Sequence, residues 1–312
     1  AFGSCLKQNR PQPIWESVLS KKPDIFLLLG DNIYGDTRDM QKLKDKWKEF
    51  SSVPGFKKLR QNSRVLAIWD DHDYGENDAG KEFPKKVESQ NIFLDFLNEP
   101  ANSLRRKTPG IYDSLIVGPH GKRVQFILLD TRYFRTSLKR SKVRESGKGP
   151  YAPNDSTEAE ILGRDQWVWL EKTLSEKAEL RIIASSIQVV STTHGWETWG
   201  NFPQERKKLL EMLKKQNSNG AIILSGDRHS SEISKLERTL PHPLFDITSS
   251  AMNQKLRPKF EENIHRVGKR YFDENFGLLK IEWLPNGPKV HASIQDINGE
   301  PVIAVSYTHL RA

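Results

Sequence analysis

The sequence contains only one cysteine among its 312 residues. An internal disulfide needs two, so a disulfide-stabilised small fold is excluded, and the redox compartment stays open. A lone cysteine is more often part of the packing than of the chemistry, so Cys5 needs local evidence for any other role. Long apolar runs are missing too, because the longest, Ile25–Leu29, is far too short to cross a bilayer. We therefore expect no transmembrane segment.

Charge of one sign is only moderately in excess, with 49 Lys and Arg against 40 Asp and Glu and a net charge of +9. Such an excess favours solubility, or attraction to anions that include phosphate esters. It is spread along the chain, and no basic stripe interleaved with aromatic residues is present, as would be typical of a nucleic-acid reader. We therefore expect no dedicated nucleic-acid-binding motif.

Short apolar runs and helical repeats alternate along the chain. Runs rich in Ile, Leu, Val and Phe predict buried strands at residues 25–29, 65–69, 124–129, 182–184 and 221–224. Apolar residues at helical spacing predict helices, with faces made of Met40, Leu43, Trp47 and Phe50, of Trp167, Leu170 and Leu174, and of Leu209, Met212 and Leu213. This alternation predicts an α/β fold.

The two ends of the chain have their own signals. Ala1 leads straight into Phe2 without an initiator methionine, which indicates a processed protein or a fragment. Residues 276–283 and 290–294 flank a Pro-Asn-Gly-Pro turn and predict a hairpin that closes a sheet. Residues 136–160 are polar and predict a long surface loop. No linker divides the chain, so we predict one domain over 1–305 and regard 306–312 as an uncertain tail that could be an artificial extension.

Polar residues that can bind metals follow the predicted strands, at the ends where sites form in α/β sheets. Asp31 directly follows the first strand and could bridge two cations, while Tyr34 could add a phenolate. The alternative is a simple Gly-Asp turn. After the next strand, Asp70-Asp71-His72-Asp73 forms an acidic cluster that is costly unless cations or solvent neutralise it. A solvated acidic loop is the alternative, which we disfavour because the cluster directly follows an apolar strand.

Three further strand ends carry weaker signals. Asp227 and His229, two residues apart on a loop, can point at one centre. Arg132 and Arg135 could clamp a phosphate with forked donors, although a surface ion pair with Asp130 explains either arginine about as well. Finally, His194 could approach the site, and the nearby tryptophans, which include Trp199, are more often packing than substrate contacts.

Taken together, the motifs resemble those of the alkaline phosphatase D (PhoD-like) family of calcineurin-like metallophosphoesterases. They are Phe2-Gly3-Ser4-Cys5, Gly30-Asp31-Asn32-Ile33-Tyr34, Trp69-Asp70-Asp71-His72-Asp73 and Gly226-Asp227-Arg228-His229, in that order. The resemblance spans residue 2 to about 230 and implies a four-layer α/β/β/α sandwich of two mixed sheets. The best-known members also carry an N-terminal β-domain and C-terminal elements over the substrate, which are not recognisable here.

The resemblance also implies a set of site residues. Metal ligands would be Cys5, Asp31, Tyr34, Asp71, Asp227 and His229, with Cys5 as a thiolate ligand of ferric iron and calcium as the partner metal. Other divalent metals are the alternative. His72 would be the catalytic histidine, acting beside Asp71. Substrate contacts would come from Asn32, Asn77, Arg132, Arg135, His194 and Trp199.

The function predicted from these motifs is hydrolysis of small phosphomonoesters or phosphodiesters by a metal-activated water. A phospholipase D-type phosphodiesterase stays open as an alternative, and so does a non-catalytic protein that binds metal or nucleic acid on the same fold. By analogy with the family we expect an exported or secreted protein, and we expect a monomer.

Overall fold

The computed structural model describes residues 1–143, 145–216, 220–237 and 242–308. Its strands are β1 (Phe2–Gly3), β2 (Ile25–Leu29), β3 (Arg64–Ile68), β4 (Asp113–Val117), β5 (Val124–Leu128), β6 (Leu180–Ala184), β7 (Ala221–Ser225), β8 (Ser231–Leu236), β9 (Leu244–Thr248), β10 (Arg266–Tyr271), β11 (Asn275–Leu284), β12 (Gly287–Asp296) and β13 (Pro301–Thr308). Its α-helices are α1 (Ile14–Ser20), α2 (Met40–Ser52), α3 (Pro54–Asn62), α4 (Asp71–Tyr74), α5 (Lys86–Phe96), α6 (Gly163–Leu174) and α7 (Pro203–Lys215).

The strands form two mixed sheets. One has six strands in the order β13-β12-β11-β1-β2-β3, and the other has seven in the order β10-β8-β9-β7-β6-β5-β4. Strands β1, β2 and β3 run parallel in the first sheet, and β5, β6, β7 and β9 run parallel in the second. Antiparallel strands flank both parallel blocks. The carboxyl ends of the parallel strands are therefore available at one edge of each sheet.

The two sheets pack face to face with helices outside. Alternate residues of the central strands point to opposite faces, as the strand period requires. In β5, Phe126 and Leu128 join the larger core between the sheets, whereas Ile127 packs under α6 and α7 in a second core. Helices α1, α2, α3 and α5 cover the other sheet with aromatic residues such as Trp15 and Trp47. The predicted four-layer α/β/β/α arrangement is confirmed.

The strongly apolar elements lie where the sequence predicts them. Strand β2 coincides with its predicted run, while β3, β5, β6 and β7 differ by one or two residues at an end. The C-terminal hairpin is also present, because β11 and β12 pair antiparallel in register from Asn275↔Asp296 to Leu284↔Gly287. Among the described residues of 136–160, the only β-pairing is an isolated bridge between Arg140 and Tyr151. Residues 217–219, between α7 and β7, lie outside the described residues.

The C-terminal boundary needs a correction. Residues 306–308, predicted to fit no element, form the end of β13 and pair with β12. Alternating polarity in this short segment was too weak a signal, and its pairing with a long neighbouring strand decides its structure. Residues 309–312 lie outside the described residues. No helix in the described part of the chain is long and apolar enough to span a membrane.

Candidate metal centre

Loops from both sheets meet where the parallel strands end. Gly226, after β7, has no room for a side chain, because a Cβ there would lie 2.5 Å from the Ser4 hydroxyl oxygen, after β1. The Ser4 hydroxyl in turn donates to the carbonyl of Ser249, after β9. The absence of a Cβ at Gly226 thus lets the loops of the two sheets touch and brings residues 245 positions apart into contact.

The backbone at this junction is held in an uncommon conformation. Cys5, Asp31, Asp227 and His229 all have left-handed backbones, with φ of 58°, 50°, 65° and 49°. Non-glycine residues in this region carry a strain of about 1–3 kcal/mol each and persist where the surrounding structure enforces it. All four are residues predicted from the sequence as metal ligands. The strain therefore coincides with the place where side chains must converge.

Cys5, Asp31 and His229 form the first group of potential metal ligands, with ligand atoms all within 4.8 Å of one another. The Cys5 thiol donates to Asp31 Oδ2 at 3.3 Å, and His229 Nε2 lies 3.9 Å from that same oxygen. Tyr34 joins them, because its hydroxyl donates to Asp31 Oδ2 at 3.3 Å and lies 2.9 Å from His229 Nε2. One point thus has a thiol, a phenol, an imidazole and a carboxylate around it.

Asp31 also belongs to two further groups. One consists of Asp31, Asp71 and His72, and the other of Asp31, Asp70 and Asp227. Asp31 is therefore the shared member of three adjoining groups. A carboxylate in this position can bridge two cations.

His72 is oriented by a carboxylate on the loop after β2. Its Nδ1 lies 2.7 Å from Asp36 Oδ1, and its ring stacks on Tyr34 with 4.2 Å between centroids. The His72 side chain is 16% exposed and that of His229 is 20%, whereas the Asp31 and Asp70 side chains are each 1% exposed. The two imidazoles therefore lie where the centre opens to solvent.

A fourth group was not predicted as such and consists of Asp71, Asp78 and Glu197. Asp71 Oδ2 accepts the backbone N–H of Asp78 at 2.7 Å, and the Tyr151 hydroxyl donates to Asp78 Oδ2. Asp71 thus links this group to Asp31. Neither Asp78 nor Glu197 was among the predicted site residues. Asp78 follows the acidic cluster by five residues, whereas Glu197 lies in a loop more than a hundred residues further on and carries no local signal.

Burial of so many acids makes their charges unfavourable without a cation. Burial is the main cause that raises the pKa of Asp31 well above its usual range, and the neighbouring Cys5 adds to the shift. Burial raises the pKa of Asp227 to about 7, although Arg228 opposes the shift. Burial likewise raises the pKa of the Cys5 thiol to about 12. Each shift favours the protonated form in the absence of metal, so these groups would release protons when a metal binds.

The donor set fits metal ions. Asp31 Oδ1 and Asp70 Oδ2 are buried oxygens that have no hydrogen-bond partner among the described residues. A buried carboxylate oxygen without a donor is costly, and a cation satisfies it. Thiolate and phenolate ligands suit a transition metal, whereas the carboxylate groups suit a hard cation such as calcium.

Arg132 and Arg135 lie buried beside the centre, where their side chains contact carboxylates. Their side chains have 0% exposure, and neither pairs with the Asp130 carboxylate at the surface. Arg132 Nε donates to Asp70 Oδ1 at 2.6 Å, and Nη1 lies 2.7 Å from Glu197. Arg135 Nε lies 2.9 Å from Glu197. Arg132 thus holds two carboxylates of the centre, and Arg135 holds Glu197 together with the carbonyls of Asp78 and Thr136.

The other expected substrate contacts lie apart from one another. Trp199 is fully buried in the second core, and its indole N–H donates to Ser185 Oγ at 2.9 Å. Asn32 is buried and donates to the carbonyl of Ile68 and to Asp73. His194 is buried and accepts the N–H of Trp196 on Nδ1. Only Asn77 is exposed, at the rim of a surface cavity of about 460 Å³ that Asp36 and His72 also line.

Residues that contact His72 and the potential metal ligands without belonging to the groups themselves were also missing from the sequence-based prediction. Asp36 was not among the predicted site residues, and its bond to His72 appears only in three dimensions. Ser250 lies 3.0 Å from the Cys5 sulfur and accepts the His229 backbone N–H at 2.7 Å. A serine after β9 is too common to be a signal, and only the topology brings it there.

Two mixed sheets packed face to face, with a thiol, imidazoles and shared carboxylates at their junction, define a metallophosphoesterase-type protein. The fold aligns with a solved structure described as the structure of PhoD with a TM-score of 0.74 and 18% identity, covering 99% of this chain and 67% of that one. A dimetal phosphatase from Danio rerio aligns with a TM-score of 0.57 and 13% identity, covering 95% and 88%.

The chain belongs to the PhoD-like phosphatase family, whose model matches residues 1–262. Alkaline phosphatase D of Bacillus subtilis (strain 168) is 24% identical over 288 residues. That match covers 80% of this chain and 48% of the relative, so the chain spans about half the length of the curated relative it matches. The family resemblance seen in the motifs is confirmed.

Proposed function

We propose that this protein hydrolyses phosphate esters in a metal-dependent reaction with water. The observation that carries the proposal is Asp31, whose carboxylate is shared by three adjoining groups of potential ligands at the junction of the two sheets. A cluster of this kind is costly as mere structure, because several buried acids would repel one another. Membership of the PhoD-like phosphatase family supports the same reaction class.

For the metals, we propose iron beside calcium, with Asp31 between them. Cys5, Tyr34 and His229 would hold the iron, and Asp71 and Asp227 would hold calcium. When bound, the ions would neutralise the phosphate and lower the pKa of the attacking water. Iron held by a thiolate and a phenolate gives a coloured protein through ligand-to-metal charge transfer. An active, fully metallated and colourless preparation would argue against iron.

His72 would protonate the leaving oxygen. Burial opposes its positive charge, but the carboxylates of Asp31, Asp71 and Asp36 outweigh this and raise the pKa of His72 to about 11. With Nδ1 bound to Asp36, a charged ring keeps its Nε2 proton for a substrate oxygen. Arg132 and Arg135 would act as positioning residues that hold Asp70 and Glu197.

The test uses purified protein and two chromogenic substrates, p-nitrophenyl phosphate and bis-p-nitrophenyl phosphate. Turnover is measured with the metals as isolated, after prolonged chelation, and after calcium is restored. We expect turnover that chelation removes, and the ratio of monoesterase to diesterase activity identifies the preferred ester.

Other outcomes separate the alternatives. If folded protein with a full metal content hydrolyses neither ester but cleaves a phospholipid, the phospholipase D-type function replaces the general one. No turnover of any of these substrates would favour a binding protein on the same fold. Steeply salt-dependent binding of DNA without turnover would favour the nucleic-acid alternative. Export and a monomeric state remain predictions.

A further inference from the structure

A group of cationic side chains lies beside the metal centre and has no role in the proposed reaction. Arg228 lies in the loop after β7, and Arg270 lies on β10. The two side chains share the carboxylate of Glu261. Arg228 Nη2 lies 2.8 Å from one oxygen, and Arg270 Nη1 lies 3.0 Å from the other. Both arginine side chains are 5% exposed, so two guanidinium groups are buried against a single carboxylate.

The surroundings leave this group positively charged. The nearby Glu232 also attracts Arg270, but its charge is shared with Arg266, with which it pairs at 2.6 Å. Lys259 adds a further cation, and its Nζ lies 4.9 Å from the centre of the Trp196 ring. An excess of buried positive charge is unfavourable unless an anion accompanies it.

The same group contains buried donors that no acceptor satisfies. Among the described residues, no hydrogen-bond partner exists for Arg228 Nε, Arg270 Nη2, His194 Nε2 or Trp196 Nε1. His194 Nδ1 accepts the backbone N–H of Trp196 at 3.1 Å, so in the neutral ring the proton is on Nε2. The pKa of His194 lies well below its usual range, chiefly because the ring is buried. The nearby charges of Arg228, Arg270 and Lys259 lower it further, so the ring stays neutral. All four atoms are therefore donors.

These donors lie close in sequence to both loops of the metal centre. Arg228 stands between Asp227 and His229, and Trp196 immediately precedes Glu197. Trp196 and Lys259 also line a surface cavity of about 370 Å³ together with residues 145–148. A ligand in this cavity would contact Trp196 and Lys259 from the solvent side. Arg228 places the group near the metal centre, because its charge acts on both Asp227 and His229.

We propose that Arg228, Arg270, Lys259, His194 and Trp196 form a second anion subsite, which binds the non-reacting phosphate of a substrate that carries two phosphoryl groups. A set of donors with a net positive charge favours an anionic ligand over a neutral one, and guanidinium groups bind phosphate oxygens with forked geometry. The inference rests on the proposed function and narrows it to bisphosphorylated small molecules.

The test compares linear alkanediol monophosphates with the corresponding bisphosphates, with spacers of three and six carbons. Phosphate release is measured for the wild type, for Arg270→Gln and for Lys259→Gln. We expect a lower KM for a bisphosphate than for its monophosphate, and an about tenfold smaller kcat/KM preference in Arg270→Gln, as for loss of one charge-assisted hydrogen bond. Lys259→Gln, at a more exposed position, covers the case in which Arg270→Gln fails to fold.

Lys255→Gln is the matched control, because it removes the same charge from the same loop. Lys255 pairs with Asp273 and Glu274 away from the group, so its substrate preference should equal that of the wild type. A wild type without preference for the bisphosphate at either spacer length would overturn the proposal. So would a preference that both variants retain, since water would then satisfy the donors.

A calorimetric titration separates this inference from the proposed function. If no ester is hydrolysed, the proposed reaction fails, but binding of the bisphosphates to the metal-loaded protein can still be measured. The subsite predicts tighter binding of a bisphosphate than of its monophosphate, and loss of that difference in Arg270→Gln. Equal affinities for the bisphosphate and its monophosphate would contradict the proposed subsite even if the enzyme is active.

Discussion

At the scale of single residues, the centre depends on side chains that act through others. Asp36 is the clearest case: its carboxylate is 43% exposed and contacts His72 Nδ1 at 2.7 Å. It fixes which nitrogen of the ring can face a substrate and favours the charged ring. Arg132 also acts through other residues, since it binds the carboxylates of Asp70 and Glu197 and holds both in position.

Asp36→Asn should lower kcat for the preferred ester by about 10–100-fold, as outer-layer substitutions at metal sites do. Because the Asp36 carboxylate raises the pKa of His72, its loss should also move the basic limb of the kcat profile to lower pH. Metal content should stay at the wild-type value, and Tm should fall only slightly, because the ion pair with His72 is partly exposed. Kinetics over a range of pH, metal analysis and thermal denaturation measure all three.

Asp45→Asn provides the control for this substitution. Asp45 lies exposed on α2, where it accepts from Gln41 Nε2, so the same chemical change should leave kcat and its pH profile unaltered. If Asp36→Asn lowers kcat but leaves the pH profile in place, Asp36 does not tune His72, and a purely structural role would explain the loss.

At the scale of elements, the sequence predicts the parts of the fold whose signal is local. Strand β2 and helix α2 are recognisable because each carries a complete apolar pattern within one segment. Strand β10 is not, since Arg266, Lys269 and Arg270 hide its alternation, and β1 has only two residues. The same limit applies to the centre: Asp31 and Asp71 follow apolar strands, whereas Glu197 reaches it only through tertiary contacts.

Gly30 allows two of the loops that carry the centre to pack against each other. It has φ of +100°, and a Cβ there would lie 2.5 Å from Asp70 Cβ, so the loops after β2 and β3 touch at this point. Gly30→Ala should lower the free energy of unfolding by about 3 kcal/mol, from the left-handed backbone and the overlap together. It should also weaken metal binding. Denaturant titration and metal analysis provide the measurements.

Gly268→Ala separates the two causes. Gly268 also has a positive φ, of +75°, but nothing lies within 4 Å of the added Cβ. It should cost only the backbone contribution, about 1 kcal/mol, and leave metal content unchanged. Equal losses in the two variants would show that the close contact between the loops contributes nothing.

At the scale of the whole molecule, the metal-free protein holds an excess of buried acid at the junction of its two sheets. The pKa of Asp227 is raised to about 7 by burial, and that of His72 to about 11 by its carboxylate neighbours against the effect of burial. At neutral pH the folded state therefore holds protons that the unfolded state has released, because the ordinary pKa is 3.8 for Asp227 and 6.5 for His72. Stability from either group is therefore lost as the pH rises.

Chelated protein should thus have a lower Tm at pH 8 than at pH 6.5. His229, whose pKa burial lowers to about 4, acts in the opposite direction only below its ordinary pKa near 6.5. Burial also lowers the pKa of the Ala1 amino group to about 5, which opposes the effect up to pH 8, but this single group is outweighed by Asp31, His72 and Asp227. Metal-loaded protein should show a widening Tm advantage over the same interval, because its ligands bind metal in their deprotonated forms. Scanning calorimetry at both pH values, with and without chelator, measures the difference. A metal-free Tm that rises with pH would contradict the buried-acid argument.

The contact between Ser4 and the loop after β9 has a consequence for how the chain matures. Cys5 and Asp31 come from one sheet, and Ser250 and His229 from the other, with Cys5 and Ser250 separated by 245 positions. Contacts of such long sequence separation form late, since much of the chain must first be ordered. A polypeptide emerging during synthesis would hold Cys5 and Asp31 long before His229 exists. Metal ions should therefore bind only after both sheets have packed together, and they would then cross-link the two halves of the molecule.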